Sequence, residues 1–173
     1  MSDPQRLERL NQLAVFLQMP AREFIAAVHR DLHIIMFVLY TWRSAAMQQG
    51  LFEQGREINR ETGTWAVVDK QLIVTNAAAG QSPHNTVTQL DQPASLAFDM
   101  VPMTSTGHLL WGTNMTDWQK IFDYAWKFGF DPLGDSVGAQ YRNDLCHFEE
   151  PNWKQKVSGL GLVLPTAVSI DRI

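Results

Sequence analysis

Residues 81–99 read QSPHNTVTQLDQPASLAFD. A Ser-Pro turn presents His84, a polar passage follows, and an apolar segment closes on Asp99. Two readings compete. Either a loop feeds an ordinary strand, or His84 and Asp99 are two ends of a single metal grip. The segment SLAFDMV at 95–101 is the strongest candidate for a central strand, so the fold turns on where this stretch lies.

Working outward, IIMFVLY at 34–40 reads as a second buried strand, far too short to span a bilayer. Ahead of it, PQRLERLNQLAVFLQ (4–18) spaces Leu7, Leu10, Ala14 and Leu17 at helical intervals, with Pro4 suited to the first turn. A second helix is expected from Pro20 to about His33. Ser44 looks like the N-cap of a helix through Gln54, closed by Gly55. Residues 56–72 are polar and resist assignment, and LIVTN at 72–76 reads as a short strand. Thr116 or Asp117 is expected to cap a helix whose Trp118, Ile121, Phe122, Ala125 and Trp126 share one face up to Gly129. Residues 131–143 are loop-rich, LCHFE forms a short strand, and the tail from Trp153 to Ile173 is ambiguous.

The bulk numbers fit one domain. A chain of 173 residues can bury a real core, and 45% hydrophobic with 18% charged residues is a globular composition. Lys and Arg number 14 against 18 Asp and Glu, a mildly acidic balance that argues against nucleic acid as a partner. Cys146 is the one cysteine, which excludes an internal disulfide framework and a thiolate cluster. The start, MSDPQRLERL, carries charge where a signal peptide needs an apolar run, so synthesis in the cytoplasm without a leader is expected.

Five histidines are candidates for chemistry. His29 and His33 stand four apart on an expected helix, but without the acidic residue of an HExxH site. His108 sits in a Thr/Ser/Gly loop and reads as solvated. His84 and His147 have acids nearby. A catalytic zinc takes three protein ligands from His, Asp or Glu and keeps one position for water. His84, Asp99 and His147 are one such set, and Asp144 could reach the water as general base. On residue type alone, this competes with plain structural roles for all four.

Four blocks, in order, sharpen the choice: TWRSAAMQQGLFEQGR (41–56), IVTNAAAGQSPHN (73–85), SLAFD (95–99) and DLCHFE (144–149). Together they resemble the signature blocks of the LAS zinc metallopeptidases, in the branch of VanY-like D-Ala-D-Ala carboxypeptidases and phage L-alanyl-D-glutamate endopeptidases. The resemblance implies that His84, Asp99 and His147 hold Zn2+, that Asp144 is the base, and that Arg43 binds substrate and stabilises the oxyanion. It further implies that Ser82 and Asn85 contact substrate or the ligand's surroundings, and that Glu149 orients a ligand from behind. One departure stands out. Asp91 falls at the family's usual spacing from His84, whereas Asp99 follows what reads as an eight-residue insertion, VTQLDQPA. Strand context favours Asp99. Ala94 or Ser95 stands near the family's glycine, which would shift the strand's entry.

The expected architecture is α+β: a small, mainly antiparallel sheet flanked by helices, with zinc in a cleft on the sheet. One peptidase domain would fill 1–173, with N-terminal helices at 1–33, a family-like core at 36–153 and a tail at 154–173. The activity implied is hydrolysis of a peptide bond in the peptidoglycan stem peptide, by a monomeric phage endolysin without stable membrane association that reaches the wall after holin-type release. A D-Ala-D-Ala or L,D-carboxypeptidase, a non-catalytic zinc-stabilised wall-binding or virion module, and a family member inactivated by the insertion remain open. Cys146 is expected to fill core space, and the tryptophans at 111, 118, 126 and 153 to be core first, with Trp111 or Trp153 able to rim the cleft.

Overall fold

The computed structural model describes residues 7–111, 115–133 and 144–165, with nothing said of the side chains of 115 and 116. A 3-10 turn, Arg9–Gln12, leads into α1, Val15–Leu32. Sequence reading placed a break at Pro20; the structure has one helix running through it. A proline inside a helix costs about 3 kcal/mol. Here the buried stripe of Leu17, Ala21, Phe24 and Val28 continues unbroken across the site, and its burial outweighs that cost. The chain leaves α1 at His33, which adopts a left-handed conformation with φ 59° and so drops off the helical face of His29.

β1 (Ile35–Tyr40) follows, and then Ser44 caps α2 (Ala45–Glu53) as expected, its hydroxyl accepting from Met47 N at 3.1 Å. Gly55, with φ 71°, turns the chain into a hairpin of β2 (Arg56–Ile58) and β3 (Trp65–Val67), in the stretch that composition left unassigned. The strand expected at 72–76 is absent: Lys70–Leu72 form a 3-10 turn capped by Asp69, and Leu72 and Val74 are exposed. Their apolar character lacks a neighbouring strand to pair with.

β4 (Ala97–Met103) is the strand read from SLAFDMV. After it come α3 (Met115–Lys127), β5 (Asp131–Pro132), β6 (His147–Glu149) and α4 (Trp153–Gly159). α3 begins at Met115, ahead of both residues expected to cap it, and ends at Lys127, two residues before Gly129, φ 82°. The start of the expected first helix (1–6), most of the 131–143 loop and the tail beyond 165 lie outside the described residues.

The main sheet is antiparallel, in the order β1-β4-β6-β5. Its side chains divide by alternation. Phe98 and Phe148 pair across β4 and β6, stack with ring centroids 5.6 Å apart, and meet Phe24 of α1 and Phe122 of α3. The helices thus seal one face with an aromatic core. Trp118 and Trp153 are buried as expected, whereas Trp111 and Trp126 are exposed. The residues between Phe98 and Phe148 in the alternation, Asp99 and His147, face the other side.

Candidate metal centre

Asp99 and His147 are direct cross-strand partners on the two central strands. Such partners project from one face, so register alone brings the carboxylate and the imidazole together. His84 arrives from a separate piece of chain, the 3-10 turn Pro83–Asn85, which Ser82 starts by accepting from His84 N at 3.3 Å. All three are buried.

Their ligand atoms form a nearly regular triangle. His84 Nε2 lies 3.1 Å from His147 Nδ1, His147 Nδ1 lies 3.1 Å from Asp99 Oδ1, and His84 Nε2 lies 3.3 Å from Asp99 Oδ1. Donors on a tetrahedral zinc, at bonds of about 2.0 Å, stand about 3.3 Å apart. The triangle has the size of one face of that tetrahedron.

The opposite ring atoms set what the triangle presents. His84 Nδ1 donates to the carbonyl oxygen of Thr41 at 2.6 Å, leaving the lone pair on Nε2. His147 Nε2 donates to Glu149 Oε2 at 3.0 Å, leaving the lone pair on Nδ1. Two lone pairs and a carboxylate oxygen then point at one spot. That arrangement is repulsive until a cation takes the spot. The residues fit zinc, which would be held by His84, Asp99 and His147 with a fourth position left open.

Without a metal, a proton fills part of the role. Burial opposes charge on His147, but its bonds to Asp99 and Glu149 win, and its pKa rises to about 10. Burial pushes the Asp99 carboxyl up, and the two imidazoles override it and hold it well below the usual range. His84 goes the other way, because burial lowers it more than Asp99 raises it. The Cys146 thiol is pushed up by burial and by the neighbouring Asp99 and Asp144 charges, so it stays protonated and inert.

Asp91, the alternative carboxylate, sits on the tip of a tight excursion. Val87 bridges Pro93, Thr88 N donates to Gln92 O at 2.8 Å, and Asp91 is exposed with φ 57°. The insertion folds back on itself and returns the chain to the strand, and Asp99 is the acid that joins the histidines. The departure at Ser95 also finds its use. Its buried hydroxyl lies 2.9 Å from Thr41 O and 2.7 Å from Ala97 O, its one proton shared between the two carbonyls, which ties the strand entry to the carbonyl that orients His84.

Arg43 lies beside the group, its Nη2 bonded to Asp99 Oδ2. Its Nε is buried with no partner among the described residues. Asn85 is fully buried: its Nδ2 donates to Arg43 O at 2.9 Å and its Oδ1 accepts from Gly80 N at 3.1 Å. Ser82 is buried as the cap of the His84 turn. Both side chains are engaged within the fold. Asp144 is exposed on the turn before β6, where Cys146 Sγ donates to its Oδ1 at 3.6 Å and its charge is felt at His147. Thr41 escaped sequence reading because its contribution is a backbone carbonyl, which residue identity does not encode. Among the described residues no second group of three ligands converges, and His29, His33 and His108 are exposed.

No family model matches the sequence, and no curated protein matches it. Solved structures do match by fold. The L-Ala D-Glu endopeptidase ChiX of Serratia marcescens superposes with a TM-score of 0.51 at 17% identity, over 85% of this chain and 86% of that one. The vancomycin-resistance D,D-pentapeptidase VanY of a VanB-type cassette, in a mutant form bound to Zn(II), gives 0.54 at 16% identity, over 88% of this chain and 81% of its own. The chain therefore has the fold of these peptidases. The match spans most of both chains in each case, and in this chain the His/Asp/His group lies at the central strands of the sheet.

Proposed function

We propose that the protein is a zinc peptidase that hydrolyses a peptide bond in the peptidoglycan stem peptide, as an L-alanyl-D-glutamate endopeptidase of the phage endolysin kind. The observation that carries the reading is the triangle of His84, Asp99 and His147, with an acceptor on the far nitrogen of each imidazole and no fourth protein ligand among the described residues. A structural zinc closes its shell with four protein ligands, whereas a catalytic one keeps a corner for solvent. The four sequence blocks and the fold of two peptidoglycan peptidases support the same reading.

A zinc ion held there would polarise the scissile carbonyl and make a water acidic enough to attack it at neutral pH. The chain's own residues do the rest. Asp144 accepts the proton that the attacking water loses, and returns it to the amine as the C–N bond breaks, leaving a carboxylate and a free amino group. Arg43, its guanidinium held beside Asp99, donates to the oxygen on which negative charge grows. Asn85 and Ser82 hold Arg43 and His84 in place, and Glu149 orients His147. Among the described residues no helix is long and apolar enough to cross a membrane, which suits a protein delivered to the wall by other means.

Digestion of purified muropeptides, with the new termini identified by mass spectrometry, tests this. New N-terminal D-glutamate is expected. Release of terminal alanine alone would reassign the enzyme as a D-Ala-D-Ala carboxypeptidase. Replacing Asp144 by Asn should lower turnover by about a hundredfold or more, the usual range for a general base. Full activity in D144N removes the proposed base.

A further inference from the structure

The metal triangle is the end of a longer row. Across the sheet, Tyr40 pairs with Asp99 and Asp99 pairs with His147. Regular pairing would not place the tyrosine there. Val38 pairs with Met100, so the next partners in an unbroken ladder would be Leu39 and Asp99. A bulge between Val38 and Tyr40 adds one residue to β1 and brings Tyr40 opposite the ligand instead. The bulge is held from afar: Arg9 Nη1 donates to Val38 O at 2.9 Å and also to Leu39 O.

Arg43 rests on this tyrosine. Its guanidinium carbon lies 5.1 Å from the centre of the Tyr40 ring, within cation–π reach. Its main chain is fixed on both sides, with N donating to His84 O at 3.0 Å and O accepting from Asn85. What remains free is the swing of a long side chain, and the ring face and Asp99 Oδ2 confine it between them. Tyr40 is 46% exposed, so it borders solvent.

We infer that Tyr40 is a positioning residue for Arg43: the bulge in β1 delivers its ring as a platform that keeps the guanidinium beside Asp99. The placement of Arg43 stands by itself; its consequence for turnover rests on the peptidase reading.

Zinc-loaded wild type, Y40F and Y40L separate the two. The Arg43 side-chain Nε–H signal in nitrogen-15 NMR, assigned by its loss in R43K, is expected to carry a ring-current shift and to exchange slowly with solvent. Y40F keeps both features. In Y40L the shift disappears and exchange quickens about tenfold, the scale of a partly desolvated cation–π contact. On the muropeptide that the wild type cleaves, kcat of Y40L falls about tenfold with a smaller change in KM, and Y40F recovers most of it. Equal zinc content in every variant shows that the site is intact; Y40T serves as a second ring-less variant should Y40L fail to load. An Arg43 signal in the ring-less variant like that of the wild type overturns the inference. A moved signal in a protein that cleaves no muropeptide sinks the peptidase reading and leaves the platform standing. A moved signal with unchanged kcat in an active enzyme removes the catalytic consequence.

Discussion

Glu149 offers the sharpest test of how the centre is built. Its Oε2 accepts a hydrogen bond from His147 Nε2 at 3.0 Å, and its side chain is only 15% exposed, so little water stands ready to replace it. Truncation in E149A leaves His147 free to change tautomer and to rotate. Loss of such a partner costs about 10- to 100-fold in metal affinity, which is about 1.4–2.7 kcal/mol. E149Q keeps an acceptor for Nε2–H and loses only the charge, so it should stay within about tenfold of the wild type. The effect has a pH signature. Glu149 strengthens proton binding at His147 as well as metal binding, and that proton, with a pKa of about 10, must leave before zinc can enter. Below that pH the wild type's zinc affinity therefore climbs by close to tenfold per pH unit. In E149A the pKa of His147 is lower, the competition from protons is weaker, and the deficit shrinks as pH falls. Competition for zinc against a chromophoric chelator between about pH 6 and 8 reads both effects. An E149A deficit that does not shrink as pH falls, or a wild-type affinity flat in pH, refutes the account of the tautomers.

The metal-free protein should lose stability with rising pH: the His147 pKa is raised on folding, so its contribution is complete below about 6.5 and is lost as pH rises through about 10. Zinc reverses the trend, and the rise in Tm on adding zinc should grow with pH; a zinc-induced shift independent of pH contradicts the protonated centre. Asp99, held well below its ordinary value, adds stability that is present above about pH 3.8 and lost on acidification below it. Gly55 combines φ 71° with a position where a Cβ would collide with the carbonyl oxygen of Asp69. G55A should cost about 1–3 kcal/mol in denaturant unfolding; an unchanged midpoint shows that the hairpin entry is looser than its geometry.

The parts legible in sequence were those set by local chemistry. Ser44 and Gly55 bracket a helix because a hydroxyl cap and a left-handed turn are properties of those residues. SLAFDMV announced a buried strand by its apolar run, and the order of four blocks around His84 and His147 singled out the histidines. Pro20 misled, because a local penalty says nothing of the Phe24 stripe packed on the sheet. LIVTN misled in the opposite sense: β propensity needs a partner strand, and none among the described residues pairs with it.

By itself the chain's sequence determined which residues can ligate a metal, where the helix after Ser44 begins, which segment is the central strand, and that one acid or the other, Asp91 or Asp99, completes the set. Only the tertiary structure decided between them, because the carboxylate must meet His84 and His147 across a register made by hydrogen bonds between distant strands. The same holds for the carbonyl of Thr41 that orients His84 and for the bulge that turns Tyr40 toward Arg43. A backbone group and a one-residue slip carry no letter of their own. They exist only once the strands have paired.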